Sequence, residues 1–205
     1  DLAETGYHVL LTESSPAIGG ILSKLDYQFP TDHCGMCRML PFVGREYASQ
    51  FCMRKGLFHD NIEILPNTEV ISFQGEPGKF EVGLRHKAQL VDTTICIGDG
   101  NCAEVCPIEV KDEFNEGPTF RKAIHRPVPH NLPNLFVIDE QACDKCGECL
   151  KVCPVNAINL EAKNTEETVE VGAVVLAAGA GLFRPDTEPD FYSYGRSENV
   201  LTSLE

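Results

Sequence analysis

Cys143, Cys146, Cys149 and Cys153 stand in the pattern Cys-x2-Cys-x2-Cys-x3-Cys, and Pro154 follows at once. Three thiolates two residues apart can wrap one corner of an iron–sulfur cubane. In two-cluster ferredoxins the fourth reaches across to the other cluster. The proline stops the backbone from continuing into a helix there. A structural zinc site would normally separate two Cys-x2-Cys pairs by a longer spacer. Upstream, Cys96-x2-Asp99-x2-Cys102-x3-Cys106-Pro107 repeats the frame, with Asp99 where the second cysteine belongs. Crossing the fourth ligands over assigns Cys96, Cys102 and Cys153 to one cluster, with Asp99 facing its remaining iron. The other cluster takes Cys143, Cys146, Cys149 and Cys106. A carboxylate is a harder ligand than a thiolate and holds iron less firmly in a sulfur-rich site. The expectation is therefore two [4Fe-4S] clusters, the Asp99 site with an aspartate or water ligand and readily losing one iron to become [3Fe-4S]. A solvated Asp99 beside a permanently three-iron cluster is the alternative.

The chain has 205 residues and ten cysteines, and only Cys52 stands apart from a close-spaced group. Cys52 is read as a small buried apolar residue. Cys34 and Cys37 have a spacing that suits half a cluster site, a redox dithiol or a buried pair. Clustered thiols without a secretory signal point to metal binding in a reducing, cytoplasmic setting. The net charge is −14, from 31 acidic and 17 basic residues. This charge argues against nucleic acid as a partner, because phosphate binding needs a basic face. An acidic surface suits brief docking on basic patches of other redox proteins, and serves simple solubility equally well. No apolar run approaches the roughly 20 residues of a membrane span. The longest, from Val171 to Leu182, is broken by Gly172, Gly179 and Gly181.

The elements that must position these groups fall into two textures. Leu2 to Tyr7 reads as a last helical turn with a glycine stop, and His8 to Thr12 as a short strand ended by Glu13. Ser14 to Gly20 is a loop finishing in Gly19-Gly20. Asn61–Leu65 and Glu69–Phe73 are expected strands, Gly75-Glu76-Pro77-Gly78 a hairpin turn, and Lys79–Arg85 the returning strand. From Val91 to about Leu160 cysteine, proline and glycine dominate, and residues 101–106 and 148–153 form an internal repeat. The segment from Ile108 to Ala142 is longer than a minimal ferredoxin needs, and is expected to pack the cysteine-rich part on its host. Thr168–Val171 reads as a strand, and Val174-Val175-Leu176-Ala177 as a buried strand of parallel type. The pattern Thr202-Ser203-Leu204-Glu205 reads as a helix start, so the chain is expected to be a piece of a longer protein. This organisation is an α/β domain over residues 1–90 and 161–205, interrupted by a cysteine-rich insertion over 91–160.

In dinucleotide folds an acidic residue at the end of the second strand binds a ribose hydroxyl, which is the place Glu13 occupies. Gly19-Gly20 would let the backbone approach a pyrophosphate. Ala177-Ala178-Gly179 is the kind of strand end where a dinucleotide crosses a sheet. An acidic strand end is more often a solvated cap, and a glycine pair more often a turn; it is their order around the insertion that singles them out.

Taken with both cluster motifs, the segments Gly6–Glu13, Ile18–Gly20, Phe29–Cys37, Asn61–Leu65, Val171–Gly179 and Tyr194–Arg196 resemble the iron–sulfur flavoprotein of heterodisulfide reductase, its A-type component, and related quinone-interacting oxidoreductase subunits. The resemblance implies a thioredoxin-reductase-like, Rossmann-type FAD domain carrying an inserted ferredoxin-like module with two [4Fe-4S] clusters. It implies that Glu13 binds the adenosine ribose, that Gly19, Gly20, Ala178 and Gly179 line FAD, and that the Val70 backbone meets the adenine. It also implies a further [4Fe-4S] cluster that Cys34 and Cys37 ligate with cysteines outside this chain. The implied function is an oxidoreductase subunit that passes electrons between FAD and clusters to other subunits of a multi-subunit redox complex, in some relatives with electron bifurcation. A flavin-free electron-relay adaptor and a zinc-stabilised assembly module are the competing readings. Two departures stand out. Asp99 replaces a cysteine, and His125 and His130 lie where the family tends to have tyrosine and glutamine; neither histidine is assigned a role.

Overall fold

The computed structural model describes residues 2–24, 59–128, 135–179, 181, 185 and 192–202. Cys34, Cys37, Cys52, His130 and residues 203–205 lie outside the described residues.

Leu2 to Gly6 form turns closed by hydrogen bonds from the Thr5 and Gly6 amides to the Leu2 and Ala3 carbonyls. Gly6 ends them at φ +94°, a left-handed backbone that only glycine adopts freely. Two short aliphatic runs then pair in parallel, β1 (Val9–Thr12) with β2 (Ile62–Leu65), in the register Val9↔Ile62 to Thr12↔Leu65. A second sheet is antiparallel and three-stranded. β3 (Thr68–Glu76) and β4 (Lys79–His86) form a hairpin with a bulge between Val70 and Ser72. The turn is Pro77-Gly78, with Gly78 at φ +95°. Gly75, at φ +110°, leaves no room for a side chain, because a Cβ there would press on the Lys79 carbonyl. Leu84 and Thr68 are the sheet's most buried side chains. The third strand, β9 (Thr165–Val171), pairs with β4 from Phe80↔Val171 to His86↔Thr165.

That pairing sets the architecture. The chain leaves the sheet at His86 and rejoins it opposite His86 at Thr165, so everything between is an excursion rooted at one point. The roots are tied together by the bridge Val91↔Ile158. The Asp92 amide donates to the Ala157 carbonyl (2.7 Å), and the Asn159 amide to that of Leu90 (2.9 Å). Inside the excursion lie two one-turn helices, α1 (Asn101–Glu104) and α2 (Glu148–Val152), which pack on each other. Beside them are the hairpin β5 (Glu109–Lys111)–β6 (Phe120–Lys122) and the antiparallel pair β7 (Ile124–His125)–β8 (Val137–Ile138). Val91, Cys102, Ile124, Phe136, Cys149, Ala157, Ile158 and Leu160 make one core. Two cysteines are therefore core residues as well as candidate ligands.

The described residues contain no Rossmann sheet: a single parallel pair and a separate antiparallel sheet stand in its place. A Rossmann sheet needs several parallel strands joined by crossover helices, and residues 25–58, between β1 and β2, lie outside the described set. The expectation for Val174–Ala177 also needs correction. These residues form no strand and are exposed, with Val175 71% and Leu176 89% accessible. A parallel strand is buried only by neighbours on both faces. Among the described residues both edges of β4 are already taken, by β3 and β9.

Candidate metal centre

Each cysteine motif opens in the same way, with an aspartate four residues before the first cysteine. The Asp139 carbonyl accepts the Cys143 amide (3.0 Å), and the Asp92 carbonyl accepts the Cys96 amide (3.0 Å). Both carboxylates then close their own loops. Asp139 accepts the amides of Gln141 (3.1 Å) and Ala142 (3.2 Å), and Asp92 accepts the amide (2.8 Å) and hydroxyl (2.6 Å) of Thr94. These Asx-type turns compete with helix formation and hold the cysteine loops open.

Two positive-φ residues follow in each loop: Gly98 (69°) and Gly100 (90°) in the first, Lys145 (58°) and Gly147 (79°) in the second. They turn the chain around the site, and Gly100 and Gly147 then cap α1 and α2. Each helix buries its cysteine, Cys102 or Cys149. After one turn the chain passes to Cys106-Pro107 or Cys153-Pro154, where the missing proline N–H ends helical pairing. Backbone amides point at two of the sulfurs: Cys143 Sγ accepts from Lys145 (3.4 Å), and Cys153 Sγ from Ala157 (3.3 Å).

Cys106, Cys143, Cys146 and Cys149 line one small cavity of about 20 Å³, walled on the apolar side by Ile124 and Leu160. Three of these thiols come from the second motif and one from the first. The cavity holds little more than a water, so a four-iron core enters it only as the thiol side chains swing outward. Among the described residues, no three His, Cys, Asp or Glu side chains converge on a point as ligands of a single ion do.

Like charge sets the same residues against one another. Burial pushes the Cys149 thiol up, and negative charge on Cys143, Cys146 and Cys106 pushes it further, against its backbone hydrogen bond. Burial likewise raises Cys102 to about 11; the Ala103 amide opposes this, and charge on Cys96 and Asp99 adds to it. Such a set of thiolates accumulates only when cations neutralise it, so iron binding releases protons and is favoured as pH rises. Cys102 is thus within electrostatic reach of both Cys96 and Asp99. Cys96, Cys106, Cys143 and Cys153 all pack against the common core. Asp99 is exposed, and its Oδ2 accepts from Asn101 Nδ2 (2.8 Å). Arg126 donates to the neighbouring Gly98 carbonyl (3.2 Å) while lying over the Phe136 ring.

Outside the cysteine-rich segment, Glu13 follows β1 directly. Its amide donates to Leu65, its carbonyl accepts the Thr68 amide, and its carboxylate accepts the Ser15 amide (2.9 Å). The chain from Thr68 runs on to Val70, which is 53% exposed on β3. Gly19 and Gly20 both have positive φ and lead into the short 3₁₀ helix Gly20–Lys24. Ala178 and Gly179 lie in the exposed segment beyond β9 and form no hydrogen bond with Glu13, Gly19 or Gly20. The described residues line an open cleft of about 750 Å³, with Ala17, Ile18, Gly20, Val91, Val137 and Ile138 among its walls. Its size is that of a cofactor pocket. The last three residues are the strands that lead into the two cysteine loops.

Comparison with known proteins agrees with this geometry. Residues 95–158 match the family model of the 4Fe-4S dicluster domain. The whole chain is similar to the A subunit of the H2:CoB–CoM heterodisulfide, ferredoxin reductase of Methanothermobacter marburgensis, at 36% identity over 29% of that protein. It is similar at 38% identity to the iron–sulfur A subunit of the CoB–CoM heterodisulfide reductase of Methanocaldococcus jannaschii, and at 41% to the A 2 form from Methanopyrus kandleri, each over 30% of the relative. The chain thus spans about 30% of the length of these relatives. No helix among the described residues is long and apolar enough to cross a membrane.

Proposed function

Because the whole of this chain is homologous to a segment of heterodisulfide reductase A subunits and carries a 4Fe-4S dicluster domain, we propose that it is the electron-carrying part of such a protein, working in the cytoplasm beside other redox subunits. When bound, the clusters supply one-electron carriers and FAD supplies exchange between paired and single electrons. Cys143, Cys146, Cys149 and Cys106 would hold one cluster, and Cys96, Cys102, Cys153 and Asp99 the other. Ile124 and Leu160 would keep water from the first of these, and the Lys145 and Ala157 amides would stabilise sulfur charge. Residues 91–160 would be the cluster module, set into a flavin domain of residues 1–90 and 161–205. Glu13 would bind the ribose, Gly19, Gly20, Ala178 and Gly179 would line FAD, and Val70 would meet the adenine. Cys34 and Cys37 would ligate a further cluster together with cysteines elsewhere.

The observation that carries this reading is the gathering of one thiol from the first motif and three from the second around a single gap. Between the Gly20 loop and the roots of both cysteine loops lies an open cleft large enough for a flavin. A flavin-free electron relay is the competing reading.

Anaerobic purification of the complete protein separates the two. The expected result is one FAD released per chain on denaturation, together with cluster iron. Replacing Glu13 with arginine should remove most of the flavin and leave the iron unchanged. Iron without flavin in the parent protein would establish the relay reading.

A further inference from the structure

The hairpin of residues 109–122 has no counterpart in the second half of the module. After Cys153-Pro154-Val155 the chain needs one residue, Asn156, to reach Ala157. After Cys106-Pro107-Ile108 it makes the whole hairpin before Ala123, whose amide donates back to the Ile108 carbonyl (3.1 Å). The hairpin carries Arg121, whose side chain is only 10% exposed. Its guanidinium donates to both Glu113 carboxylate oxygens (2.7 Å each) and to Asp139 Oδ2 (2.9 Å). Nη1 also reaches the Lys122 carbonyl (3.3 Å) and lies 3.4 Å from His125 Nδ1. Asp139 is the residue that closes the loop into Cys143. Lys24, at the end of the 3₁₀ helix after Gly19-Gly20, donates to the Glu113 carbonyl (2.8 Å) and pairs with Glu116.

We propose that Arg121 is a positioning residue for the four-cysteine cluster, fixing the Asp139–Cys143 loop and supplying the positive charge that holds the cluster's reduction potential up. Three links connect guanidinium to ligand: Arg121 to the Asp139 carboxylate, the Asp139 carbonyl to the Cys143 amide, and Cys143 Sγ to the cluster. A buried guanidinium keeps its charge, and positive charge favours the more negative, reduced cluster. The first loop lacks this device: Asp92 is closed by Thr94, and has no ion pair among the described residues. Arg126, which donates to Gly98, is untouched by changes at Arg121. The Asp99-site cluster is thus an internal reference. The proposal rests on the cluster assignment above.

The test is an EPR-monitored redox titration of the complete anaerobic protein, following each cluster separately. At the parent's midpoint potential, Arg121→Gln should lower the reduced-to-oxidised ratio of the four-cysteine cluster about tenfold, about 59 mV for one electron. The Asp99-site cluster should not move. Glu113→Gln changes an exposed residue and should shift the four-cysteine cluster the opposite way, so it serves where the arginine variant fails to retain iron. Shifts of the expected signs confined to that cluster support the proposal. No shift, or an equal shift in both clusters, overturns it. A parent protein lacking the four-cysteine signal would overturn the cluster assignment instead.

Discussion

Replacing Cys106 with serine will empty the cluster built by the other motif. The expected loss is about four iron atoms per chain relative to the parent, together with the EPR signal of the four-cysteine cluster. The Asp99-site signal remains. Sequence adjacency suggests the reverse, since Cys106 is only four residues from Cys102. The fold separates them: Cys102 points into the core from α1, while Cys106 faces the gap shared with Cys143, Cys146 and Cys149. Both thiols are raised chiefly by burial; beyond that, charge on Cys106 adds to the rise at Cys149, whereas charge on Cys96 and Asp99 adds to it at Cys102. Serine keeps the shape and offers a much weaker ligand to iron in a sulfur site. Cys153→Ser should produce the converse loss, at the Asp99 site. Iron analysis and EPR of the two variants check the crossover from both sides.

Replacing Asp99 with cysteine will raise iron content by about one atom per chain and abolish the oxidised three-iron EPR signal. The backbone is already suited to the change. Gly98 and Gly100 flank Asp99 with positive φ, as Lys145 and Gly147 flank Cys146. The two loops therefore turn the same way, and a cysteine at 99 enters with the geometry its counterpart has at 146. The carboxylate's hydrogen bond from Asn101 is exposed, so its loss costs little. What changes is ligand softness at one iron. A variant with unchanged iron and an unchanged three-iron signal would mean that residue 99 does not face the cluster.

The cluster motifs were readable in the sequence because their chemistry is local: spacing, glycine and proline determine each loop within about a dozen residues. The hairpin of β3 and β4 was readable for the same reason, from its turn and the alternation of Lys79–Arg85. The Arg121–Glu113–Asp139 cluster was not. Its strands are three residues long, too short for any periodicity, and its ion pairs join residues 8 and 18 apart, at no helical or strand spacing. The one signal was the shared aspartate four residues before Cys96 and Cys143. Val174–Ala177 misled because an apolar run reports a preference for burial, and burial depends on what lies alongside. Glu13, Gly19 and Gly20 were placed correctly at a strand end and its following loop, but a Rossmann sheet is a property of many strands, and a single parallel pair is described here.

The central claim is that the two clusters are held by ligands crossed between the motifs and differ in kind. It is tested most directly by low-temperature EPR of the complete protein, oxidised and dithionite-reduced, before and after anaerobic incubation with excess ferrous iron and dithionite, which supplies the one electron that iron uptake by an oxidised three-iron cluster needs. The predicted result is a three-iron signal that disappears as iron is taken up at the Asp99 site, while the four-cysteine cluster is unaffected. Two clusters that respond identically to added iron would contradict it.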